Sequence, residues 1–112
     1  MRLAVALVAI VAMTCPALAQ YVLPPEGYDH PYKGQTVISW KDSREEVRAV
    51  CNTPFAMGLG CAHLRNDWCI ITIARNPVLD AAGFTANVVL RHEIAHCNGW
   101  PKDHPNSRLW VR

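Results

Sequence analysis

Thr36 to Trp40 is rich in β-branched and aromatic residues and predicts a short strand, with Val37 and Ser39 on one face and Thr36, Ile38 and Trp40 on the other. The period then changes. Val47, Val50 and Cys51 recur at helical spacing behind two polar residues, Asp42 and Ser43, each followed three positions later by a glutamate, so either can cap a helix ending near Cys51. Pro54, Gly58 and Gly60 break regularity from Asn52 to Gly60. Cys61 to Leu64 and Trp68 to Ala74 predict two strands joined at Arg65-Asn66-Asp67, the second strengthened by Ile70, Ile71 and Ile73. Asn76-Pro77 ends that strand, leaving Val78 to Phe84 as a connection closed by Gly83. Thr85 caps a further helix over Ala86 to Asn98, with Val88, Val89 and Ile94 as core contacts, and Gly99 and Pro101 stop it. The order predicts an α+β domain, a small, mostly antiparallel sheet packed on two helices.

Composition changes the picture at the N-terminus. Arg2, the eleven-residue apolar run Leu3 to Met13 and Ala17-Leu18-Ala19 form a charged start, a hydrophobic stretch and a small-residue cleavage site, so residues 1–19 are expected to be an export signal. The run is shorter than the roughly 20 residues a membrane span needs, so no stable anchor is expected after cleavage. Residues 20–35, with Pro24, Pro25, Gly27, Pro31 and Gly34, predict an extended arm on a domain spanning 20–112. Removing nineteen of 112 residues leaves 93, which bury only a modest core and call for covalent or metal support.

Four cysteines outside the leader, Cys51, Cys61, Cys69 and Cys97, suit two disulfides in a secreted or periplasmic protein. A hairpin centred on Arg65 sets Cys61 opposite Cys69 and leaves Cys51 for Cys97, and that pairing is the expectation. The formal charge of +2 falls to +1 once Arg2 is lost, which argues against a nucleic acid or an anionic membrane as partner. A monomer is expected.

The chemistry concentrates at His92-Glu93-Ile94-Ala95-His96. His92 and His96 stand one helical turn apart, so both imidazoles reach one ion, and Glu93 can take a proton from water activated there. Such a run arises by accident in a chain of this composition roughly one time in a hundred. A third ligand must lie elsewhere. No glutamate follows Glu93, and Lys102 occupies the position where H-E-x-x-H-x-x-G-x-x-H would carry its last histidine. The downstream donors are Asp103 and His104. His104 is preferred because imidazole is a common zinc donor, with Asp103 as the alternative ligand or as a hydrogen-bond partner behind one. His30, in the arm, and His63, near the hairpin turn where a surface histidine is more often structural or solvated, rank below these as ligands.

The stretch His92 to His104 resembles the zincin-like metallopeptidases, and more closely short exported bacterial proteins carrying H-E-x-x-H-C-N-G-W-P-x-D-H. That resemblance implies a minimal zincin core holding Zn2+, with His92, His96 and His104 as ligands and Glu93 as general base in peptide hydrolysis. Tyr28, Tyr32, His63 and Arg108 are candidates for a second oxyanion donor. The competing expectation is a non-enzymatic exported domain in which the same residues hold a structural ion or a partner.

Overall fold

The computed structural model describes residues 4–6, 22–52 and 58–111. The export signal expected over residues 1–19 therefore lies outside the described residues except at 4–6. Among the described residues, five strands and three α-helices follow in the order β1 (Val22–Leu23), β2 (Gln35–Lys41), α1 (Arg44–Cys51), β3 (Gly60–Arg65), β4 (Trp68–Ala74), α2 (Asn76–Ala81), α3 (Ala86–Cys97) and β5 (Arg108–Leu109). The α+β class holds. The main sheet is mixed: β4 is central, antiparallel to β3 and parallel to β2, while β1 and β5 form a separate antiparallel pair.

The local rules account for the helix starts. Ser43 is the cap of α1, its Oγ accepting from the Glu46 N–H at 3.2 Å, while the Glu46 carboxylate accepts from the N–H of Asp42 at 2.8 Å. Val47 and Cys51 enter the core, but Val50 is 47 % exposed and does not continue the stripe. Residues 76–81, expected as part of a connection, form a helix because Pro77 stands in its first turn, where no N–H is required and the fixed φ suits the helix. Leu79 and Phe84 then bury fully beside Ile71, Ile73 and Val89.

Both disulfides differ from expectation: Cys51 joins Cys61, and Cys69 joins Cys97. The cause is register. The turn is Asn66-Asp67, with Asn66 at φ +53°, so Cys61 opposes Thr72 and Cys69 opposes Leu64. Relative to a hairpin centred on Arg65 the pairing slips by three positions, and an odd slip turns Cys61 and Cys69 to opposite faces. Each cysteine is thus free to clip a different helix. Cys61, on the Thr72 face, holds the end of α1, whereas Cys69, on the Ile71 face, holds the end of α3. Two disulfides suit an oxidising compartment. Among the described residues, no helix is long and apolar enough to cross a membrane.

From residue 22 the arm is extended apart from a 3₁₀ turn at Glu26–Tyr28, and polar contacts fasten it. Asn98 donates through Nδ2 to the carbonyls of Tyr28 and His30, at 3.0 and 2.7 Å. Asp29 accepts from Arg91 of α3 (Nε to Oδ1, 3.0 Å) and from Arg108 of β5 (Nη2 to Oδ2, 2.7 Å). The hydrogen bond from Arg91, aided by Arg108, holds the Asp29 carboxyl below its ordinary range despite an opposing contribution from burial. A depressed carboxyl contributes stability above its unfolded pKa of about 4 and loses it as pH falls through the folded value. Asp29→Asn is therefore expected to cost about 1–3 kcal/mol at pH 7, with both arginines left without their carboxylate. In urea titrations the two proteins should converge below pH 4; a gap that stays constant from pH 3 to 7 would contradict the assignment.

Candidate metal centre

Helix α3 carries the motif and is set at both ends. Thr85 Oγ1 accepts from the Val88 N–H at 3.3 Å, and the far end closes as a Schellman motif: Trp100 N–H to the Ala95 carbonyl (3.0 Å), Gly99 N–H to that of His96 (3.1 Å), with Gly99 at φ +104°. The chain then reverses through Pro101, and His104 N–H bonds to the Pro101 carbonyl at 3.0 Å. His104 itself sits at φ +59°, a left-handed conformation uncommon outside glycine and costing of order 1 kcal/mol. That turn brings its side chain back over the helix.

Among the described residues, His92, His96 and His104 form the group able to share a metal ion. Their Nε2 atoms lie 3.3 Å (His92 to His96), 3.2 Å (His96 to His104) and 3.1 Å (His92 to His104) apart. Two nitrogens bound at 2.0–2.1 Å to a tetrahedral ion stand about 3.3–3.4 Å apart, so the triangle has the size such an ion requires. The tautomer of His96 is set as well. Its Nδ1 lies 2.9 Å from the Trp100 carbonyl, which can only accept, so Nδ1 carries the proton and neutral His96 turns its Nε2 lone pair inward. Desolvation lowers the pKa of His96, assisted by nearby Lys102, and lowers that of His104, with a further decrease from His96; both shifts favour the neutral, ligating form.

Asp103 does not take either role expected of it. It is exposed and outside the group; its charge acts on His104 only by opposing the fall in pKa, and the partner behind His96 is the Trp100 carbonyl. His30, whose Nδ1 faces the Pro31 carbonyl, and His63 are exposed and away from the centre. Among the oxyanion candidates, Arg108 is engaged by Asp29 and by the Pro24 carbonyl at 2.7 Å, Tyr32 packs against the core, and His63 is on the sheet face opposite α3.

Glu93 is 4 % exposed, with Oε1 3.7 Å from His92 Nε2 and Oε2 without a hydrogen-bond partner among the described residues. Burial pushes its carboxyl up to about 8. A buried carboxylate oxygen with no partner is rare and costly, and a cation held by the neighbouring imidazoles would stabilise it. Gly60, at the start of β3, lies beside it: a Cβ there would meet Glu93 Cγ at an ordinary contact of 3.6 Å but would crowd the Thr72 carbonyl at 3.0 Å and Val89 Cγ1 at 3.3 Å. The residues present fit a tetrahedral ion with a carboxylate alongside. A further contributor is Trp100, 2 % exposed and packed on all three imidazoles, whose only local signal in the sequence is its place between Gly99 and Pro101. Comparison with family models, with curated proteins and with solved structures returns no match, so the chain's chemistry is read from this geometry.

Proposed function

We propose that the protein is an exported zinc-dependent peptidase. The observation that carries this reading is the convergence of three imidazole Nε2 atoms at 3.1–3.3 Å beside a buried carboxylate, all but His104 drawn from one H-E-x-x-H turn. Three neutral imidazoles suit zinc among common ions, and His92, His96 and His104 would hold it with one position open. Zinc bound there supplies a Lewis acid and a water acidified to a pKa near 7.

Glu93 performs the proton work. With zinc bound, its carboxylate would accept a proton from the water and return it to the leaving nitrogen, and its burial would keep bulk water from competing. The His96 hydrogen bond to the Trp100 carbonyl keeps that imidazole aimed throughout. Of the two hairpin strands, β4 is paired on both sides, so β3 is the edge on which a peptide can lie as an added strand, and Gly60 puts that edge beside Glu93. The two disulfides and the leader-like N-terminus support export to the periplasm or medium.

A second reading, a structural ion in a non-enzymatic domain, is favoured by the burial of His92 and Glu93, 3 % and 4 % exposed. Incubating the zinc-loaded protein with a peptide mixture and reading products by mass spectrometry separates the two. Cleavage that a chelator stops and added zinc restores supports the peptidase; zinc retained with no cleavage of any peptide supports the structural ion.

A further inference from the structure

We infer that Trp100 is the positioning residue of the metal centre, holding the three imidazoles in register for an ion. This rests on the metal reading above but not on peptidase activity. The four rings of His92, His96, His104 and Trp100 have centroids separated pairwise by 4.8–5.1 Å, nearly a regular tetrahedron. The indole therefore lies on one side of the plane through the three imidazole centroids. It stacks on His96 with 16° between planes and meets His92 and His104 edge-on, at 76° and 73°.

Three polar groups of the same residue act on the same assembly. Its backbone N–H closes the helix at the Ala95 carbonyl, one residue before His96. Its carbonyl accepts the His96 Nδ1–H, and its indole N–H donates to the Pro105 carbonyl at 2.9 Å, tying down the residue after His104. Trp100 is also buried apart from the main hydrophobic core, which is built from α1, β4, α2 and α3 side chains. Its packing is spent on the ligands. In the tautomers that bind an ion, three Nε2 lone pairs about 3.2 Å apart would repel, and free rotation would relieve that repulsion at the expense of metal affinity. Trp100 removes the rotation in advance.

The test measures zinc affinity, by competition with a chromogenic chelator, and the visible spectrum of the cobalt(II) form, in wild type, Trp100→Phe and Trp100→Leu. Groups that orient metal ligands are typically worth 10–100-fold in affinity, so Trp100→Leu is expected to weaken zinc binding by about that factor and to change the cobalt bands. Trp100→Phe restores a stacking ring without the indole N–H, and is expected to recover most of the affinity, weaker by about 3–10-fold, with a smaller spectral change. Should Trp100→Leu fail to fold by circular dichroism, Trp100→Phe alone decides. Wild-type zinc affinity and an unchanged cobalt spectrum in the folded variants overturn the role of Trp100. A wild-type protein that takes up neither ion overturns the metal reading beneath it.

Discussion

Replacing Glu93 with glutamine is expected to lower peptide hydrolysis by about 10²–10⁴-fold, the range a general base contributes, while zinc affinity stays within a few-fold of wild type. The substitution keeps the shape of a side chain that is 4 % exposed and packed under Gly60, so no cavity opens and β3 does not move. It removes the carboxylate beside His92, and an amide cannot serve as base. Glu93 is outside the set of nitrogens that converge on the ion, which is why binding and turnover should separate. The measurements are the rate on the best cleaved peptide and zinc retention after gel filtration. Unchanged turnover would rule out Glu93 as the base, and loss of zinc in step with activity would make Glu93 a ligand.

The parts of this centre that depend on near neighbours were legible in the chain. Thr85 caps α3, Gly99 takes the left-handed position, and His92 and His96 share a face, each a consequence of spacing within about one turn. The preference for His104 over Asp103 rested only on donor chemistry, and it is a left-handed turn after Pro101 that delivers the imidazole. Longer-range features were not legible. Arg65-Asn66-Asp67 is compatible with more than one hairpin register, and the odd slip between them exchanges the faces of Cys61 and Cys69 and hence the disulfides. The parallel pairing of β2 with β4 leaves no local trace, because α1 and β3 intervene. Asp29 meets Arg91 and Arg108 across 62 and 79 residues, which no window on the sequence joins.

These distant contacts matter to the site because His104 belongs to neither helix nor sheet. Its segment leaves α3 beside Cys97, held to β4 by the disulfide, and returns to β5, where Arg108 is fixed by Asp29 and the Pro24 carbonyl. Between those anchors the indole of Trp100 and the Pro101 carbonyl set the turn. A loop pinned at both ends can hold a ligand in an unfavourable backbone conformation, because relaxing it would disturb contacts on either side.

His104→Ala should consequently lose most of the stabilisation that zinc confers, whereas Asp103→Ala should lose almost none. A ligand that binds only the folded state stabilises it by RT ln(1 + [L]/Kd), about 4 kcal/mol at a thousandfold excess of zinc over Kd. Removing one of three imidazoles exceeds the 10–100-fold losses caused by changes behind a ligand, and a loss on the order of 10³-fold leaves only about 0.4 kcal/mol at the same zinc concentration. For a domain of this size each kcal/mol moves the midpoint by roughly 4–8 °C, so a zinc-induced rise of about 16 °C or more collapses to a few degrees. Asp103 is exposed, and an exposed charge acting on His104 is worth at most about 1 kcal/mol, within roughly fivefold in affinity. Thermal melts of wild type and both variants, with and without zinc, give the ranking directly. If Asp103→Ala abolishes the zinc-dependent rise while His104→Ala keeps it, the third ligand is the carboxylate and the turn at His104 serves some other purpose.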